Sequence, residues 1–235
     1  MTHPLLSRLD QIAGRLAAQP TALAMLALGS VGRATERLDD HSDLDFFVIT
    51  TDKETMLADL SWLGEPLRWR HRNTPDGYQV LVGPVFHEFA VFEPHELAEI
   101  PFEAGRIVWA AEGFDTSILD PGTGRPTSAD WLIHQVLANL YVGLHRYLRG
   151  ERLSAMRKIQ GEALEALLRL CGSDDPFDPF RRAEAHAALR LNIAAGGYDR
   201  VPESAREILR ALPRVESQML GDVEALLDRA VRSEG

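Results

Sequence analysis

The chain has 235 residues, 45% hydrophobic and 26% charged, a size and balance suited to one large or two small soluble domains with real cores. Its 25 basic and 35 acidic residues leave a formal net charge of −10, which argues against a broad basic surface for nucleic acid and suits a cationic or neutral small partner. The single cysteine, Cys171, excludes an internal disulfide framework and a cysteine metal cluster, and is expected to pack as a small hydrophobe.

Residues 3–18 place Leu5, Leu6, Leu9, Ile12, Ala13 and Leu16 on one helical stripe that ends before Gln19-Pro20. This N-terminal stretch is charged at Arg8 and Asp10 and lacks the apolar core of a signal peptide. No run approaches the roughly 20 apolar residues that span a bilayer, so a cytoplasmic protein with no membrane partner is expected. Residues 21–28 predict a buried strand closed by Gly29, and residues 30–42 a polar loop with a helical turn around 32–37. A second buried strand follows at 44–50, then an amphipathic helix at 53–63 and a strand at 65–72. Asp76-Gly77 predicts a hairpin turn, and residues 78–82 and 85–92 two more strands. These elements predict an α+β fold, with a mixed sheet of about five strands rather than a regular βαβ repeat.

After the loop DPGTGRPTSAD the pattern turns helical. Ser128 can cap a long helix to Arg149, with Leu132, Val136, Leu140, Leu144 and Leu148 at four-residue steps, and Gly150 ends it. Residues 151–170, 179–195, 203–212 and 215–231 predict four further helices of a bundle. The expected domains are 1–122, a mixed-sheet unit, and 123–235, a helical one.

The chemistry concentrates in LGSVGRATERLDDHSDLDFFV, residues 28–48. Asp43 and Asp45 are spaced i, i+2 at a strand start, where alternation puts both carboxylates on one face. Like charges there repel, unless a divalent cation lies between them; Mg²⁺ favours carboxylate oxygens together with phosphates. Gly29 at the end of the preceding strand allows a tight turn whose N–H groups form an anion site. Ser30 and Ser42 add hydroxyls to that site and Arg33 a positive charge. Glu88 is an acid embedded in the apolar strand 85–92, an expensive position unless it is paired or metal-bound. It supplies the third carboxylate, as a further metal ligand or as the base for an attacking hydroxyl. Glu93 and Glu96 read as helix-start acids.

Gly29-Ser30, Asp43-Leu44-Asp45 and a later strand acid, each beside a short apolar strand and followed by a helical half, resemble the nucleotidyltransferase superfamily with a DNA-polymerase-beta-like palm. Within it the chain most resembles the antibiotic nucleotidyltransferases, the lincosamide enzymes above all, through SDLDFFV, HEFAVFEPHELAEIPF and the LRGE turn at 148–151. The Ser30-to-Asp43 spacer is slightly longer than in those enzymes. The resemblance implies Asp43 and Asp45 as metal ligands, Glu88 as general base, and Gly29 and Ser30 as the grip on a triphosphate. It further implies Mg²⁺, ATP or another NTP as co-substrate, and transfer of a nucleoside monophosphate to a hydroxyl of a small molecule such as a lincosamide. A homodimer is compatible with it. The acidic balance favours an aminoglycoside acceptor instead, and a protein-AMPylating or antitoxin-type module is the alternative of another class. Arg157, Lys158, Arg181 and Arg182 read first as solvated or salt-bridged cations. His134 and His145 read as hydrogen-bonded structural groups, and Trp69, Trp109, Trp131 and Tyr141 mostly as core.

Overall fold

The computed structural model describes residues 3–64, 66–121, 128–172, 178–181, 183–185, 189–213 and 217–233. The chain divides into two compact units, Met1–Gly124 and Arg125–Gly235.

The first unit is built on a six-stranded sheet: β1 (Ala22–Ala27), β2 (Leu44–Thr50), β3 (Leu67–Thr74), β4 (Gly77–Val82), β5 (Val85–Phe92) and β6 (Arg106–Ala110), in the order β3-β4-β5-β2-β1-β6. All pairings are antiparallel except β2 with β5, which run parallel. Alternation then sorts the side chains. Phe46, Val48, Val80, Phe89 and Val91 face a core completed by Leu9, Ile12 and Leu16 of α1 (Pro4–Leu16) and Met56 and Leu57 of α2 (Lys53–Ala58). Phe46, Phe89 and Trp62 interlock there through one stacked and two edge-on ring contacts. On the opposite face a smaller core gathers Ala24, Leu26, Ile49, Phe92, Phe102 and Leu119 and covers only part of the sheet.

Three elements of this unit differ from the sequence-based expectation. The sixth strand, β6, pairs with β1 and is absent from the sequence-based expectation; five residues of RIVWA are too short a pattern to announce it. The helix expected at 53–63 stops at Ala58. The Trp62 indole takes the Met56 carbonyl at 3.1 Å, and the Asp59 carboxylate accepts from both Ser61 N–H and Oγ, restarting the chain as a 3-10 turn at Ser61–Leu63. The β3–β4 hairpin pairs Thr74 with Gly77, so its tip is Pro75-Asp76 and Gly77 belongs to the strand. A Cβ on Gly77 would stand 2.2 Å from the Phe89 carbonyl, so this glycine serves close backbone approach.

In the second unit Ser128 caps α3 (Ala129–Leu148) by accepting the Trp131 N–H at 3.1 Å. The helix expected at 151–170 carries a π segment, Arg157–Ala163, between α4 (Arg152–Met156) and α5 (Leu164–Leu170). The expected helix at 179–195 survives among the described residues only as a 3-10 turn at Ala183–Ala185 and α6 (Leu191–Ala194). Here the Arg190 N–H donates to the Glu207 carboxylate, which fixes the chain entering α6. The remaining helices are α7 (Val201–Ala211) and α8 (Gln218–Arg232). Leu137, Leu140, Leu144, Ile159, Leu167, Ala205 and Val223 form the centre of this unit's core. Cys171 is exposed at the end of α5, where the chain turns at Gly172, instead of packing as expected. Trp69 and Trp131 are likewise about half exposed. Among the described residues no helix is long and apolar enough to cross a membrane.

Candidate functional site

The parallel ladder between β2 and β5 sets Asp45 directly beside Glu88. On the other side of Glu88, β4 supplies Gln79, and β3 supplies His71 opposite Gln79. One row of polar side chains, Asp45, Glu88, Gln79 and His71, therefore crosses four neighbouring strands on one face. It is the face whose smaller core begins one step further on, at Phe47 and Ala90. Trp69, Leu81 and Phe86 form the adjacent row on the other side, with Trp69 and Phe86 stacked at 6.3 Å. The sheet thus offers carboxylates beside a partly exposed aromatic floor.

Glu88 is half-buried, and Asn73 Nδ2 donates to its Oε1 at 2.8 Å. That bond orients the carboxylate and leaves Oε2 for other chemistry. Asn73 Oδ1 is buried with no hydrogen-bond partner among the described residues. Asp43 is half-buried one residue before β2, outside the ladder.

The chain leaves β1 at Leu28, whose N–H donates to the Asp45 carbonyl at 2.8 Å. Gly29 then turns with φ +54°, a left-handed conformation natural to glycine. A Cβ on Gly29 would meet Asp45 Oδ2 at 3.3 Å and Glu103 Oε1 at 3.8 Å. The Gly29 N–H donates to Glu103 Oε1 at 2.7 Å. Ser30 is half-buried in the 3-10 turn Gly29–Val31. Two arginines pin this turn to the start of β6: Arg33 Nε donates to the Gly105 carbonyl at 2.8 Å and an Arg106 amino group to the Val31 carbonyl at 3.0 Å. Arg33 thus serves the turn's backbone, and Ser42 Oγ accepts the Asp39 N–H at 3.0 Å within its own loop.

Several site features escaped sequence reading. Glu103 sits in irregular chain between Phe102 and Gly105, with no periodicity to mark it. Asn73, Gln79 and His71 follow from hairpin register, which becomes countable only once the tip is placed at Pro75-Asp76. Glu93 and Glu96 form a capping box, and Glu96 and Asp76 both bind Lys53, at 2.6 and 2.7 Å. In the helical unit Glu162 pairs with both Lys158 and Arg157, and Arg181 pairs with Asp178 at 3.4 Å. Arg182 lies outside the described residues. His134 contacts the Asp130 carbonyl, and His145 meets the Tyr141 ring edge-on.

Among the described residues no three His, Cys, Asp or Glu side chains converge into a metal-binding group. The donor chemistry nevertheless fits a hard divalent ion. Asp45 and Glu88 are adjacent carboxylates on one face, and Mg²⁺ commonly takes only one or two carboxylates, completing its shell from water and phosphate.

No protein-family model matches the chain, and no curated protein sequence matches it. Three solved structures align along nearly all of it. A nucleotidyltransferase-like protein from Exiguobacterium sibiricum shares 15% identity over 98% of this chain and 75% of its own, at a TM-score of 0.32. An aminoglycoside 6-adenyltransferase from Bacillus subtilis shares 11% over 99% and 97%, at 0.33. A spectinomycin adenyltransferase from Enterococcus faecialis, solved with ATP and spectinomycin, shares 11% over 98% and 100%, at 0.37. These likenesses are weak in identity and in superposition.

Proposed function

We propose that this chain is a Mg²⁺-dependent nucleotidyltransferase that moves a nucleoside monophosphate, AMP from ATP, onto a hydroxyl of a small molecule. The observation that carries the reading is the pairing of Asp45 with Glu88 on one sheet face, bordered by the Gly29 turn whose N–H already engages an anionic oxygen. Gly29 and Ser30 would take the phosphates of the nucleotide. Asp43, Asp45 and Glu88 are the residues that would hold Mg²⁺, which when bound neutralises phosphate charge in the transition state. Glu88, oriented by Asn73, receives the proton of the acceptor hydroxyl through its other oxygen. The hydroxyl oxygen forms its bond to the α-phosphorus as the α–β phosphoanhydride bond breaks and pyrophosphate departs. Asp45 keeps the face acidic, so a triphosphate binds productively only as its metal complex.

For the acceptor we favour a hydroxylated antibiotic, a lincosamide first. A net charge of −10 supports an aminoglycoside as the second reading. Incubation with ATP, Mg²⁺ and a panel of both classes, read by mass spectrometry, tests this. One acceptor class should gain an adenylyl group with the wild type and none with Asp45→Asn. A silent panel alongside clear Mg-ATP binding would remove the drug acceptor, and absent ATP binding would remove the nucleotidyl reading itself.

A further inference from the structure

Among the described residues, Glu103 is the carboxylate at the Gly29 turn that the proposed reaction leaves without a task. We propose that it is an internal competitor for the phosphate grip: its carboxylate occupies the Gly29 amide until a nucleotide phosphate displaces it, so Glu103 sets how tightly the nucleotide binds. This deepens, and rests on, the reading of the turn as a triphosphate site.

Three observations carry it. The Gly29 N–H has one hydrogen to give, and at 2.7 Å it is given to Glu103 Oε1; a phosphate oxygen and this carboxylate exclude each other there. The carboxylate is also presented rather than loosely placed. Phe102 on one side is buried in the smaller core, and the Gly105 carbonyl on the other is held by Arg33 at 2.8 Å. Finally, Asp45 Oδ2 and Glu103 Oε1 border the same space left by the missing side chain of Gly29. A polyphosphate entering that space adds negative charge against two carboxylates, and Glu103 is the one whose partner it takes.

The test is titration of the full-length protein with Mg-tripolyphosphate by calorimetry, comparing wild type, Glu103→Gln and Glu103→Ala, with the Gly29 amide followed by NMR. Losing one charge-assisted competitor should tighten binding about tenfold in both variants. The Gly29 amide signal should move on substitution, and in the wild type on titration too. Glu103→Gln retains size and an acceptor oxygen, so it decides the matter if Glu103→Ala does not fold. Unchanged or weaker binding by the folded variant, or wild-type binding that leaves the Gly29 amide unmoved, would overturn the competitor role and leave the phosphate site standing. If tripolyphosphate binds none of the three proteins, the phosphate reading of the turn falls and the competitor role with it.

Discussion

Glu88 is held by one oxygen, and this asymmetry gives separate consequences to neighbouring substitutions. Glu88→Gln should slow turnover far more than it weakens ATP binding, since it removes the proposed proton acceptor; steady-state kinetics with a direct binding measurement checks this. Asn73→Ala frees Glu88 Oε1, a bond of 2.8 Å. It should lower kcat about tenfold, with KM for ATP nearly unchanged, because orientation rather than binding is lost. His87 makes a different prediction. It is fully buried on the core face, its Nδ1 meets the Val85 carbonyl at 3.0 Å, and its Nε2 has no partner among the described residues. Burial, with a smaller contribution from Arg8, pushes its pKa down to about 4 from the ordinary 6.5. The unfolded chain therefore binds a proton at a pH where the folded one does not. Stability is unaffected above pH 6.5 and declines as pH falls from there towards 4, by up to about 3 kcal/mol. Denaturant midpoints measured across that window should flatten in His87→Gln. Of these residues Glu88 was legible in the sequence, as an acid among apolar neighbours. Asn73 and Glu103 were not, since each reaches the site only through tertiary approach.

The readable elements were those whose pattern is local. β2 and β5 begin and end where their apolar runs do, and the Ser128 cap marks the start of α3. The missed or altered ones depend on partners distant in sequence. β6 exists because β1 offers an open edge. α2 ends because Trp62 takes its Met56 carbonyl, and the chain entering α6 is set by Glu207. Gly77 belongs to the same class, as a turn signal that proves to be a spacing device. Gly77→Ala would force a Cβ to within 2.2 Å of the Phe89 carbonyl, separating β4 from β5. We expect a loss of about 1–3 kcal/mol in denaturant unfolding, with activity falling too, because Gln79 and Glu88 lie on that seam.

At the scale of the whole molecule, each unit has an apolar core of its own, and among the described residues none is common to the cores of the two. In the helical unit the central polar device is Glu207, buried and gripped by Arg190 and by Arg210 at 2.6 Å. The Arg210 and Arg190 bonds hold its carboxyl well below the usual carboxylate range. Its contribution is full above about pH 4.5 and fades as pH falls below that, when the unfolded chain takes up the proton first. Glu207→Gln should destabilise the chain at neutral pH by about 2 kcal/mol and by less in acid; thermal unfolding at the two pH values measures both. In the sheet unit, the parallel ladder of β2 and β5 does more than place two carboxylates. A slip of one residue between these strands would bring His87 beside Asp45 and turn Glu88, a charged group, into the apolar interior where Phe89 and Val91 belong. The hydrophobic alternation of β5 thus acts as a proofreader of the alignment of Asp45 with Glu88: a slip by one residue in either direction is also a misfolded state, so the errors nearest the native register are rejected by the fold itself.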